Sequence, residues 1–192
     1  MPTLARSYHL FLLAALSAVP LAAEAVTIGY QLFPLGGNLY RYEYTVTNEG
    51  SLGAGVAVRL FDIQFDPADY GENSLAIVTP APLSAQWQEF IFPSIPSLGV
   101  NASYNAYAPS SGVAVGDSVT GFAVEFEWLG NPAGPGSQFF EIYDPLKLTV
   151  LETGMTSIPL PGTLYLFGLG LVALTTVRHR RHIVTTFPMA SS

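Results

Sequence analysis

The chain has 192 residues, 49% of them apolar and only 11% charged, against roughly 25% charged in an average soluble domain, so part of it is expected to face lipid. The absence of Cys excludes disulfide frameworks, thiolate zinc sites and Cys nucleophiles. Seven bases against 14 acids, a net charge of -7, exclude a nucleic-acid partner, whose phosphates need a basic patch.

Residues 1–9 carry Arg6 and no acid, residues 10–22 are an apolar run, and Ala23-Glu24-Ala25 follows. A positive start, a short apolar core and small residues at Ala23 and Ala25 are the parts of a cleavable secretory signal. The expected mature N-terminus is Val26. As a helix the 13 residues of the run reach only about 20 Å, short of a bilayer core of about 30 Å, so the run is not read as a permanent anchor.

Residues 26–157 follow as the exported domain. Tyr40, Tyr42, Tyr44 and Val46 alternate with Arg41, Glu43, Thr45 and Thr47, the period of two of a strand with one buried face. Phe122, Val124, Phe126 and Trp128 repeat this against Glu125 and Glu127, and Leu146, Leu148 and Val150 alternate with Lys147 and Thr149. Further strands are predicted at 26–33, 56–65, 75–79, 86–92, 102–107 and 138–143, between turns bearing Gly, Pro, Asn or Asp. The Gly- and Pro-rich stretch 129–137 must be a turn. About nine short strands without a long amphipathic helix or a fixed-period repeat predict an all-β fold. The expected form is an antiparallel two-sheet β-sandwich, immunoglobulin-like or jelly-roll.

The domain carries little catalytic equipment. All three His residues, His9, His179 and His182, fall outside it, which removes Ser-His triads and His-ligated metals. Its bases are Arg41, Arg59 and Lys147 against 13 acids, a net charge of about -10. Asp62, Asp66, Asp69 and Glu72 form an acidic stretch whose carboxylates have the chemistry of a calcium loop. The order lacks the ligand spacing of an EF-hand, and Asp66-Pro67 is an ordinary turn opener, so the stretch is read as a solvated turn. Glycoside hydrolysis needs a protonated and an ionised carboxyl group, but scattered acids single out no pair. Trp87 and Tyr104 are the aromatic candidates for stacking on sugar rings if exposed, and Asn101-Ala102-Ser103 matches a glycosylation acceptor. No catalytic, cofactor-binding or metal-ligating residue is assigned; the chain is not read as an enzyme and no cofactor is expected.

Toward the C-terminus, Ile158-Pro159-Leu160-Pro161-Gly162 precedes a 15-residue uncharged run at 163–177, closed by Arg178, Arg180 and Arg181. Counted from Ile158 the stretch has 20 residues, just enough to cross a bilayer of about 30 Å as a C-terminal transmembrane helix. The Arg cluster holds its far end in the cytoplasm and leaves the β domain outside.

This order of Pro-Leu-Pro, apolar helix and Arg-rich stop resembles the PEP-CTERM sorting signal, in the variant with Leu for the usual Glu. The resemblance covers residues 158–181, and 11 residues follow Arg181 where such signals commonly end sooner. It implies an exosortase-like membrane processing enzyme as partner, a Gram-negative source, and a final place at the cell surface or in an exopolysaccharide matrix. Pro159, Leu160, Pro161, Gly162, Arg178, Arg180 and Arg181 are then the sorting residues.

The organisation expected is a signal peptide at 1–25, an exported domain at 26–157, a sorting signal at 158–182 and a short tail at 183–192. The expected role is that of a structural or interaction protein. An extracellular polysaccharide-binding module is the alternative, and a carboxylate-dependent glycoside hydrolase a distant one.

Overall fold

The computed structural model describes residues 25–159. Ala23, Leu160, Pro161, Gly162, Arg178, Arg180, Arg181 and the predicted membrane span lie outside the described residues. Nine strands form: β1 (Val26–Gly36), β2 (Leu39–Asn48), β3 (Leu60–Phe65), β4 (Ala76–Ile77), β5 (Gln88–Phe92), β6 (Ala102–Tyr107), β7 (Ser118–Glu127), β8 (Phe139–Tyr143) and β9 (Val150–Met155). Among the described residues, helical structure is limited to one turn of α-helix, α1 (Ala81–Ser84), and two 3-10 turns, and no helix is long and apolar enough to cross a membrane.

The strands pair in two antiparallel sheets, β1-β2-β7-β4 and β5-β6-β3-β8-β9, giving a β-sandwich. Alternation explains the layering. Tyr42, Tyr44 and Val46 of β2 and Phe122, Val124 and Phe126 of β7 turn inward from the first sheet; Phe61, Ile63 and Phe65 of β3, with Phe140 and Ile142 of β8, turn inward from the second. Aromatic edges lock the layers together: the Phe61 ring meets Phe122 at 5.0 Å and 83°, and Trp87 meets Phe122 at 4.9 Å and 89°, the edge-to-face geometry that ring quadrupoles favour.

Two predicted strands are corrected. Residues 146–149 are not a strand: 145–147 form a turn and 148–149 carry no regular structure, with Leu146 87% and Leu148 69% exposed, and β9 begins only at Val150. The Asp144 carboxylate accepts the backbone N–H of Leu146 at 2.9 Å and of Lys147 at 3.1 Å. Such local side-chain bonds compete with a sheet ladder. These two bonds, with the Lys147 ammonium beside it, hold the Asp144 carboxyl below the usual carboxylate range. The segment predicted at 56–65 likewise pairs as a strand only from Leu60, its earlier part meeting Val113 through Val58 alone.

Asn48 explains how that earlier part is held. It is fully buried at the end of β2; its amide donates to the carbonyls of Val56 at 2.9 Å and Val113 at 3.0 Å and accepts the Gly50 N–H at 3.1 Å. A buried polar group left without partners costs about 1–3 kcal/mol. Asn48→Ala is therefore expected to lower unfolding free energy by about 2 kcal/mol or more, read as a lower urea midpoint at unchanged slope.

Candidate functional site

The sandwich is open at one end, where the turn after β3 faces the loop between β7 and β8. Between them lies a cleft of about 400 Å³, lined by Gln64, Asp66, Asp69, Asn101, Trp128 and Asn131 among others. The Gly- and Pro-rich loop is thus one wall of the concave site and the acidic turn is the other.

Buried tyrosines hold the loop in place. Tyr42 Oη donates to the Gly136 carbonyl at 2.6 Å; its single proton being used, the Tyr70 hydroxyl 3.2 Å away is the donor between the two rings. Tyr44 Oη donates to Gln138 Oε1 at 2.6 Å, and the Gln138 backbone is tied to Thr156 by bonds of 2.7 and 2.8 Å. Burial pushes the Tyr42 and Tyr44 hydroxyls far up and Tyr70 up to about 12, so all three remain protonated donors.

The opposite wall is a compact turn. Asp66 accepts the Ala68 N–H at 2.9 Å through Oδ1, and its carbonyl accepts the Asp69 and Tyr70 N–H groups at 3.0 and 2.9 Å. The Leu129 N–H reaches the Asp69 carbonyl at 2.8 Å and ties the walls together. Gly130 makes this approach possible, because a Cβ there would lie 2.5 Å from both Asp69 Oδ1 and a Trp128 ring carbon. Trp128 packs edge-on against Tyr70 at 5.1 Å and donates its indole N–H to the Asn131 carbonyl at 2.8 Å. Among the described residues the Asp69 carboxylate has no ion-pair or hydrogen-bond partner, and no cation pairs with Asp66.

The acidic stretch does not act as one group. Asp62 points from the outer face of β3, Asp66 and Asp69 line the cleft, and Glu72 is taken up by Ser94, whose N–H and hydroxyl it accepts at 3.0 and 2.6 Å. No three acidic side chains converge as a metal site among the described residues. Alternation separates them: Asp62 lies within a strand and the others beyond its end. Trp87 and Tyr104 are 5% and 0% exposed, so neither is a stacking platform. Their rings face Phe61 and Phe122 in the core. Asn101 is a cleft residue whose amide donates to Gln64 Oε1 at 3.3 Å.

Cross-strand register builds a second polar feature. On the outer face of the five-stranded sheet, Phe90, Asn105, Asp62, Glu141 and Thr153 stand opposite one another in a single row. Asp62 Oδ1 is buried there without a hydrogen-bond partner. Burial, and secondarily the facing Glu141 carboxylate, push the Asp62 carboxyl up to about 6, against the lowering influence of the Ser103 hydroxyl. Glu141 accepts the Tyr143 hydroxyl at 2.8 Å. This pair could be found from sequence only once the β3–β8 register was known.

Of the targeting residues, Ala25 and Pro159 are described. The Ala25 carbonyl accepts the Glu49 N–H at 3.4 Å. The Pro159 ring lies over Gly29 of β1, 2.9 Å from where a Cβ would stand.

No protein-family model matches the chain, and no curated protein matches its sequence. Two solved structures are similar to part of it. Both are GH20 exo-β-N-acetylglucosaminidases from Vibrio harveyi, one in complex with N-acetylglucosamine and one an inactive mutant, each 9% identical with a TM-score of 0.36. The likeness covers 70% of this chain and 18% of theirs.

The raised Asp62 pKa has a definite sign. The folded chain holds this proton more tightly than the unfolded one, so the associated stability is complete below about pH 4 and lost as pH rises through about 6. Asp62→Asn is expected to be more stable than the native chain at pH 7.5 by on the order of 2 kcal/mol. The difference should close by about pH 4; chemical denaturation of both chains across this range checks it, and a difference independent of pH would contradict it.

Proposed function

We propose that this chain is an exported, non-enzymatic binding module of the cell surface or extracellular matrix, and that its end cleft takes a neutral glycan. The cleft carries this reading. Its volume of about 400 Å³ falls within the roughly 300–1,000 Å³ of small-molecule sites. Its side chains combine amides, which both donate and accept, with carboxylates that accept only. Vicinal hydroxyls of a sugar match such a set, and Trp128 with the partly exposed Phe139 supplies apolar surface for the ring.

Charge selects among glycans. Three bases against 13 acids in residues 26–157, and two cleft carboxylates without a paired cation among the described residues, oppose uronic-acid and sulfated polymers. Delivery rests on the two ends: the signal peptide sends the domain across the inner membrane, the apolar run at 163–177 holds it there, and an exosortase-like enzyme reads residues 158–162 and transfers the domain outward.

Each half of the proposal has its own measurement. Titration calorimetry with neutral oligosaccharides should give saturable binding that Asp69→Asn weakens about tenfold, as expected for losing a hydrogen bond to a charged acceptor. Gly130→Ala should abolish binding by displacing Asp69 and Trp128 from their positions on the cleft walls. Equal affinity for anionic oligosaccharides would contradict the charge argument, and release of sugar products would restore the hydrolase reading. For sorting, the surface form recovered from an exosortase-bearing host should end near Gly162. A surface form still carrying residues 164–177 would make the tail a plain anchor.

A further inference from the structure

Glu152 of β9 is a partly buried carboxylate beside the start of β1. Its Oε1 accepts the Val26 backbone N–H at 3.1 Å, and its Oε2 accepts the Ser51 hydroxyl. Among the described residues no Lys or Arg pairs with it. Val26 is itself only 3% exposed, pinned by the β1–β2 ladder opposite Asn48. The expected signal cleavage falls on the bond before this residue.

We infer that removal of the signal peptide completes the domain by creating the cation that Glu152 lacks. Hydrolysis of the Ala25–Val26 peptide bond consumes one water and leaves a carboxylate on Ala25, which departs, and an α-ammonium on Val26. The nitrogen that donated one neutral N–H to Glu152 then carries a full positive charge and three protons. An ion pair between two long, mobile side chains at the surface is worth little because both must be ordered to form it, and the cost is smaller when its members are already held in place. Here β1 places the nitrogen and the Ser51 hydroxyl steadies the carboxylate, so little ordering remains to be done when the charge appears. Cleavage also removes the Ala25 carbonyl from the Glu49 N–H, a bond of 3.4 Å, so one weak hydrogen bond is exchanged for an ion pair. The uncut precursor is the looser form and the cut chain the tighter one, so stability becomes linked to maturation.

The inference rests on the export reading for its biological setting, but its chemistry can be tested separately. The chain from Val26 to Ser192 is prepared in detergent micelles with a free Val26 amine and, in parallel, with Val26 Nα-acetylated. The acetyl group restores an amide and a carbonyl at the positions that Ala25 supplies, so the two forms differ by the charge and by the Glu49 N–H bond, and the second difference cancels between the two Glu152 backgrounds. Each form is made with Glu152 and with Glu152→Gln, and the unfolding equilibrium is measured at pH 6.5. The free amine should favour the folded state about tenfold or more over the acetylated form when Glu152 is present, and by less than threefold in Glu152→Gln. Equal stability of the free and acetylated forms, or the same gain in both backgrounds, would overturn the ion pair. Mass spectrometry of the exported chain decides the setting: a first residue other than Val26 would defeat the cleavage reading while leaving the four-way comparison to judge the pair.

Discussion

Buried tyrosine hydroxyls are the constraint on which the site depends. β2 sends Tyr42 and Tyr44 into the core, both 0% exposed, and a hydroxyl in an apolar interior must find a partner or lose its hydration uncompensated. The partners are Gly136 and Gln138, in and beside the β7–β8 loop, which carries no regular structure of its own. The core therefore shapes the loop. Tyr70, opposite, donates to Tyr42 and packs against Trp128, so the same group of rings positions both walls of the cleft.

The charged residues follow a different logic. With few bases available, the outer face of the four-stranded sheet gathers its charge around Arg41, which lies 3.8 Å from Glu43, 4.0 Å from Glu125 and over the Phe33 ring at 5.4 Å. Spread over two carboxylates and a ring at a partly exposed position, this arrangement organises the sheet face more than it stabilises it. The five-stranded sheet has no such cation at Asp62 and Glu141, and the cost appears as a carboxyl that resists ionisation.

Closure of the domain joins its first and last strands. After β9 the chain passes from one sheet to the other, where Ser157 pairs in parallel with Gly29: Ser157 N–H donates to the Ile28 carbonyl at 3.0 Å and the Tyr30 N–H to the Ser157 carbonyl at 2.8 Å. Both ends of the described sandwich thus lie on β1. Gly29 leaves room for Pro159 against the strand, and the two bonds from Ser157 keep the domain edge closed whatever follows Pro159.

What the sequence determined by itself was the class of fold and most strand positions, because a side-chain period of two is local information. The alternation at Tyr40–Val46 and Phe122–Trp128 places β2 and β7 with their aromatic faces inward, and 102–107 coincides with β6. It misled at 146–149, where apolar alternation was present but the Asp144 carboxylate captured two amides and made a turn. The cleft was legible only in halves: the acidic stretch and the Gly-rich loop each stood out, some 60 residues apart, with nothing local to show that they meet. Tertiary structure decided that meeting, along with the burial of Trp87 and Tyr104 and the facing of Asp62 and Glu141. Each depends on strand order and register, set by burial summed over the whole sandwich and by the partners that buried hydroxyls require.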